Sequence, residues 1–323
     1  MLDQTQVEKG AALAGRIVEN METVVFGKDD VVRLVVGALA ADGHVLLEDV
    51  PGTGKTSLVS ALARSVDCSF RRIQFTPDVM PSDITGFSVF NQKTREFEFR
   101  PGGVHANIVL ADEINRASAK TQSALLEAME ERQVTVDGVT RPLPDPFMVL
   151  ATENPVEQYG TYPLPEAQVD RFLVKLSVGY PAFDQEVRIL RRPAGARERL
   201  GAVATAQDVT WLRQLTAQVE ATQDVCSYIV QLVDATRSSS EVALGSSPRG
   251  GLATLAMSRA RALMDERGYV TPDDVRAVAP HTLAHRIILS SEARAQGRSP
   301  RDVLSSIVAG VAVPVATERG ERE

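Results

Sequence analysis

The chain has 323 residues, 44% hydrophobic and 24% charged, with a formal net charge of −7. That composition is ordinary for a globular protein, and the length suits two domains or one large and one small. The acidic balance and the lack of a long basic run argue against nucleic-acid binding through bulk electrostatics. Cys68 and Cys226 have neither metal nor redox spacing, no apolar run approaches membrane length, and Met1-Leu2-Asp3-Gln4 carries no leader pattern. A cytoplasmic protein without direct membrane insertion is expected.

The first two thirds of the chain alternate helix and strand. A helix is expected over 29–41, with Asp29 as its cap, Val31, Val32, Leu34, Val35, Ala38 and Leu39 as its apolar stripe, and Gly43 closing it. A strand at 44–48 leads into a loop and a helix to about Arg64, and strands follow at 71–75 and 108–112. A helix starts at Ser118, a strand covers 147–151, a short helix starts at Pro165, and a last strand covers 172–176. Continuous apolar strands alternating with helices imply an α/β fold, a five-stranded parallel sheet covered on both faces. Two inserts interrupt the pattern. Residues 86–103 alternate aromatic and polar side chains, and 133–141 carry Asp137-Gly138 between β-branched positions, so both read as hairpins.

No further strand is expected after Gly179-Tyr180-Pro181. Ser247-Pro248, Thr271-Pro272-Asp273-Asp274 and Ser299-Pro300-Arg301-Asp302 are helix starts, the first of a long helix to Arg267-Gly268. The expected organisation is an α/β core over 1–180, a linker over 181–204 and a small all-helical domain over 205–323, with a fraying tail from Thr317.

The chemistry concentrates in two places. After the strand His44-Val45-Leu46-Leu47 comes Glu48-Asp49-Val50-Pro51-Gly52-Thr53-Gly54-Lys55-Thr56-Ser57, a phosphate-binding loop. Gly52 and Gly54 let backbone N–H groups converge on an anion, Lys55 reaches the terminal phosphates, Thr56 offers a hydroxyl to Mg²⁺, and a helix N-terminus stands behind. Pro51, Thr53 and Ser57 complete the loop. Asp49 occupies a position where the strict motif has glycine; Asp is expected to survive there because it tolerates a left-handed backbone. Downstream, Asn107-Ile108-Val109-Leu110-Ala111-Asp112-Glu113 is an apolar strand ending in two acids. A carboxylate there is costly unless it meets a cation, so Asp112 is expected to hold Mg²⁺ and Glu113 to polarise the attacking water.

The order of these features resembles the AAA+ ATPases, and among them the MoxR family. The resembling stretches are VPGTGKTSL (50–58), IVLADEINRASAKTQSALLEAMEERQVTVDG (108–138), ATENPVEQYGTYPLPEAQVDRF (151–172) and GSSPRG (245–250). The resemblance implies that Asn154 is the sensor that positions water against the γ-phosphate. It implies that Arg171 is an arginine finger reaching a neighbouring subunit's nucleotide, and that Arg249 is a second sensor. The chemistry agrees: a guanidinium fork neutralises phosphoryl oxygens, and a cation at a helix N-terminus implies an anion nearby. Arg116 resembles a further contact to the neighbour, and Phe26-Gly27-Lys28 the segment lining the adenine. The 86–103 hairpin resembles that of the helix-2-insert branch, a place to touch a substrate protein.

The resemblance further implies a ring, a hexamer, that uses ATP and Mg²⁺ for chaperone-like remodelling or maturation of protein complexes, with von Willebrand factor A domain proteins as partners. The client stays unnamed. A magnesium-chelatase-like motor subunit, a nucleic-acid-acting AAA+ motor and a nucleotide-dependent binding module are the alternatives; the acidic charge disfavours the second, and Asp112, Glu113 and Arg171 disfavour the third. His281 and His285 have the spacing of a zinc-protease helix but lack its intervening Glu, so they are read as a helix face. Trp211, Leu212 and Leu215 are read as lid core, and Arg188–Arg199 as a solvated helix and loop.

Overall fold

Each central strand sends alternate side chains into two separate hydrophobic clusters. Val45 and Leu47, Ile108 and Leu110, and Met148 and Leu150 enter one; Leu46, Val109 and Ala111, and Val149 and Ala151 enter the other. A strand that is apolar at every position must be covered on both faces, and that requirement fixes the architecture.

The computed structural model describes residues 2–49, 52–154, 161–191 and 200–314. The chain opens with α1 (Gln4–Glu22) and α2 (Asp29–Ala40), followed by β1 (Val45–Glu48), α3 (Lys55–Ser65) and β2 (Phe70–Gln74). Next come α4 (Pro81–Thr85), the hairpin β3 (Gly86–Asn91) and β4 (Glu96–Pro101), and β5 (Ile108–Asp112). Helix α5 (Ala119–Glu131), the hairpin β6 (Gln133–Val136) and β7 (Val139–Pro142), β8 (Met148–Glu153), α6 (Glu166–Val169) and β9 (Val174–Leu176) complete the first part. β1, β2, β5, β8 and β9 form one sheet in the order β2-β5-β8-β1-β9, with every pairing parallel. The five strands are those expected from the sequence, within one or two residues at their ends.

The C-terminal part contains α7 (Phe183–Leu190), α8 (Ala206–Gln218), α9 (Gln223–Ser238), β10 (Val242–Leu244), α10 (Pro248–Met264), α11 (Pro272–Thr282), β11 (Ile288–Leu289), α12 (Ser291–Ala295) and α13 (Pro300–Gly310). Thr271 and Asp274, and Ser299 and Asp302, close reciprocal capping boxes, and the Ser247 hydroxyl accepts from the Arg249 N–H. An antiparallel pair, β10 with β11, is added to the expected helices. Helix α10 stops at Met264, short of Arg267, because Glu266 turns into the left-handed region at φ 58. Helix α7 lies inside the stretch expected to be linker. The tail from Thr317 lies outside the described residues, as does Pro51.

Helix α1 lies ahead of the first expected element and joins the two parts. Its Gly10 approaches Leu215 of α8 and Leu263 of α10 so closely that an added Cβ would sit 3.1 and 3.2 Å from them. The cluster on that face of the sheet therefore runs unbroken from Val7 through Leu62 to Leu304. Helix α2 corrects one expectation: Asp29 is inside its first turn and Lys28 is the cap residue, without a side-chain bond. Asp29 and Asp30 act instead on the positive end of the helix dipole. Gly43 is needed for space and not for φ, because a Cβ there would lie 2.2 Å from Leu173. In the second hairpin Asp137 (φ 53) and Gly138 (φ 74) both take positive φ, as a two-residue primed turn requires.

His44 fastens β1 to the layers around it. Its Nδ1 accepts from the Val149 N–H at 3.0 Å, and its Nε2 lies 3.1 Å from the Met129 carbonyl, to which it donates in the neutral tautomer. Burial first, and the Arg132 charge second, push its pKa down from 6.5 to about 3. An unfolded His44 takes up a proton as the pH falls below about 6.5 and the folded one does not, so its contribution is complete above that pH and is lost on acidification. Between pH 5.5 and 4.5, His44→Gln should lose about 1.4 kcal/mol less unfolding free energy than the parent, while being less stable at pH 7. Urea unfolding at each pH measures this; equal slopes would mean that His44 is not buried neutral.

Candidate active site

The parallel order places the carboxyl ends of β1, β5 and β8 side by side at one edge of the sheet, where such folds bind ligands. A cavity of about 380 Å³ opens there. Gly52, Gly54, Lys55, Thr56 and Ser57 form one wall, Arg72 and Gln74 of β2 another, and Asp112, Glu113, Thr152 and Asn154 the strand-end wall. A larger cleft of about 460 Å³ lies between α2 and helices α10 and α11, but it has no phosphate-binding backbone, so size does not identify the site.

The loop has the form an anion needs. Gly52 (φ 86) and Gly54 (φ 92) are left-handed, and nothing lies within 4 Å of where a Cβ would project from either. Gly54 is the N-cap of α3 and makes no side-chain cap bond, and a helix N-terminus at the cavity suits an anion. Lys55 Nζ donates to the Asp49 carbonyl at 2.8 Å. Partial burial lowers its pKa, against the opposing pull of Asp49, Asp112 and Glu113.

Asp49 has a different role from the one expected of it. It is not among the left-handed residues of the described chain. It extends the sheet, its N–H donating to the Glu153 carbonyl at 3.1 Å. Its buried carboxylate accepts from the Gly179 N–H at 3.0 Å, from the Val178 N–H, and from the Ser177 hydroxyl at 3.3 Å. The acid ties the start of the loop to the exit of β9, a function glycine could not serve. Phe26-Gly27-Lys28 abuts the same exit: Lys28 Nζ donates to the Tyr180 carbonyl at 2.8 Å, and Arg188 lies over the Phe26 ring.

The two acids are held in different ways. Asp112 is buried; its Oδ1 accepts from the Thr152 hydroxyl at 2.7 Å, and its Oδ2 meets Arg72 Nη2 at 2.5 Å. Glu113 takes φ 57, ψ 51, a left-handed turn that costs a non-glycine residue about 1–2 kcal/mol. The Thr152 hydroxyl secures that turn by accepting from the Glu113 N–H at 2.8 Å. The Glu113 carboxylate then accepts from Gln74 Nε2 at 2.9 Å and pairs with Arg116 at 2.9 Å. Arg116 is thus placed on Glu113 of its own chain. Asn154 is buried at the end of β8, with its carbonyl 3.5 Å from Asn115 Nδ2.

Arg171 and Arg249 do not line this cavity. Both meet Glu130 of α5, at 3.0 and 2.7 Å. The sequence reading missed Arg72, Gln74 and Thr152. Sequence shows that Arg72 and Gln74, two apart on a strand, share a face; the register that pairs Gln74 with Asp112 is visible only in the structure. His281 and His285 sit apart, one in the last turn of α11 beside Arg301 and the other against the Phe172 carbonyl. Leu212 and Leu215 are buried in the larger cluster, and Trp211 packs against that cluster.

A phosphate-binding loop, two strand-end acids, a polar residue on the next strand and the order β2-β5-β8-β1-β9 define an AAA+ ATPase. The family described as "ATPase family associated with various cellular activities (AAA)" matches residues 44–174, and the AAA lid domain matches 234–307. The chain is 42% identical to Chaperone MoxR1 of Mycobacterium tuberculosis over 93% of its own length and 82% of that protein. It is 52% identical to the uncharacterized Bacillus subtilis protein YeaC, over 94% and 95% of the two chains. It is 30% identical to protein MoxR of Methylorubrum extorquens, over 85% and 88%. Among solved structures, that of a proposed ATPase from Cytophaga hutchinsonii superposes with a TM-score of 0.90 at 38% identity, covering 96% of this chain and 98% of that one. The chain belongs to the MoxR family of AAA+ ATPases.

Removing the Lys55 cation leaves the loop backbone intact but withdraws a charge-assisted bond to phosphate. Lys55→Ala should raise the Kd for ATP by at least about tenfold, measured by equilibrium titration. A value within threefold of the parent would remove this cavity as the nucleotide site.

Proposed function

We propose that the protein hydrolyses ATP with Mg²⁺ in this cavity and uses the energy, as a ring, to remodel or mature protein complexes. The observation that carries the reading is the convergence of the glycine loop, Asp112, Glu113 and Asn154 on one cavity. The donor set suits both ligands. The left-handed glycines leave room for phosphate oxygens, and the Thr56 hydroxyl and Asp112 carboxylate are the hard oxygen donors Mg²⁺ prefers. When bound, Mg²⁺ supplies neutralisation of the charge on the β- and γ-phosphate oxygens.

The chain's own groups account for the rest. N–H groups of residues 52–57 cradle the phosphates and Lys55 meets the terminal ones. Glu113, turned back by its left-handed backbone and steadied by Gln74, orients a water and takes its proton as the water attacks. Asn154 holds that water in line from the neighbouring strand. Arg171 and Arg249, remote from this cavity, serve a second copy's nucleotide, which makes the active form a ring, taken as a hexamer. The proposed division is a core over 1–180, a linker over 181–204 that includes α7, and a lid over 205–323. The family resemblance supports von Willebrand factor A domain partners, and the name of the tuberculosis relative supports a chaperone-like task. Among the described residues no helix is long and apolar enough to cross a membrane.

Glu113→Gln preserves the shape of the side chain and removes the carboxylate that takes the proton. It should bind ATP as the parent does and release phosphate about 10²–10⁴ times more slowly. Unchanged turnover would move the base to another residue.

Arg171→Ala should leave ATP binding intact and lower turnover by up to about 10³-fold. Mixing it with Lys55→Ala should restore some activity, because the first copy keeps a sound loop and the second lends a sound arginine. Mixed assemblies demonstrated by mass but no more active than either variant alone would remove Arg171 from a neighbour's site.

A further inference from the structure

The two arginines absent from the cavity share one carboxylate. Glu130, in the last turn of α5, forms an ion pair through Oε2 with Arg171 Nη2 at 3.0 Å and accepts through Oε1 from Arg249 Nη2 at 2.7 Å. Arg171 comes from the segment between α6 and β9 and Arg249 from the first turn of α10, so elements far apart in sequence present their cations at one place. Two guanidinium groups brought together repel, and a carboxylate between them offsets that repulsion. Arg249 Nη1 also lies 4.0 Å from the Asp170 carboxylate. A guanidinium has five N–H donors, so these contacts still leave others to meet an anion.

The ground beneath the pair is firm. Arg286, buried, binds the Asp170 carboxylate at 2.7 Å and donates to the Asp170 and Phe172 carbonyls at 2.9 and 2.7 Å. The Ser247 hydroxyl, two residues before Arg249, donates to the same carboxylate at 3.2 Å. The backbone on both sides of Arg171 is therefore tied to the elements that carry Arg249.

We propose that Glu130 is a positioning residue. It sets Arg171 and Arg249 side by side as a two-pronged receiver for the terminal phosphate of a nucleotide bound to a second copy of the chain. The proposal rests on the reading that these arginines act on a neighbour. Glu130 touches no nucleotide itself; it acts through the geometry of the pair. An exposed ion pair contributes little to folding, so its value lies in alignment, where small misplacements reduce rate strongly.

The test uses the full-length assembly. Glu130→Gln keeps the size of the side chain and removes its charge. It should leave the melting temperature and the Kd for ATP unchanged and lower kcat by about 10- to 100-fold. Mixed assemblies of Lys55→Ala copies, which donate arginines, with Arg171→Ala copies, which supply nucleotide sites, locate the effect. Glu130→Gln on the Lys55→Ala copy should cut the hybrid activity at least about tenfold, and on the Arg171→Ala copy less than twofold. An equal loss on either copy, no loss on the donating copy, or a gain there would each overturn the proposal. A starting mixture that exchanges subunits yet hydrolyses nothing, with Glu130 intact, overturns the neighbour reading itself, and this proposal with it.

Discussion

Asp112 is a mostly buried carboxylate at the end of an apolar strand, and the arrangement of the site follows from satisfying it. An unpaired charge there would cost several kcal/mol. Oδ1 takes the Thr152 hydroxyl from β8, and Oδ2 takes the Arg72 guanidinium from β2. Both partners are delivered by strand register: β5 lies between β2 and β8, so neighbours on each side reach the same height. A slip of one residue in either pairing would turn Thr152 or Arg72 to the other face and leave the acid unsatisfied. The same Thr152 oxygen accepts from the Glu113 N–H, so one hydroxyl both meets the first acid and fixes the turn that aims the second.

The fold supports this edge by burying both faces of the sheet. Alternate strand residues enter two clusters, and the cluster on the α2 and α3 face continues through α1 into α8, α10, α11 and α13. The C-terminal helices are thus packed onto the core. Arg213 reinforces the union, being almost fully buried while donating to the Leu39 carbonyl at 3.1 Å and pairing with Asp42 at 2.6 Å. A charge so placed needs its partners, and it finds them only when α8 sits against the end of α2.

Local signals were the legible ones. The glycine loop, the five apolar strands and the Asp137-Gly138 turn each carry their explanation within a few residues. Helix α1 was legible too, from the Asp3–Gln6 capping box and the stripe Val7, Ala11, Ala14, Val18. Asp49 was misread because only its own backbone was considered, whereas its acceptors serve N–H groups at 178 and 179. Arg72 and Gln74 look like surface residues of an edge strand until the register sets them beside Asp112 and Glu113. The meeting of Arg171 with Arg249 on Glu130 could not be seen at all, because it depends on how the C-terminal helices close over the core.

Charge complementarity connects the two surfaces. At the cavity Arg72 is committed to Asp112 and Arg116 to Glu113, which leaves Lys55 as the cation for a bound triphosphate. A nucleotide with its Mg²⁺ still carries negative charge, and the transferring phosphoryl group concentrates it on peripheral oxygens. The surface holding Arg171, Arg249 and Glu130 has one positive charge in excess, and its arginines keep donors beyond those committed to the carboxylate. Neither arginine lines the cavity of its own chain, so in the proposed ring their spare charge is offered to the nucleotide of another copy. In that arrangement Glu130 keeps the surplus small enough for the arginines to lie together, and large enough to be drawn to phosphate.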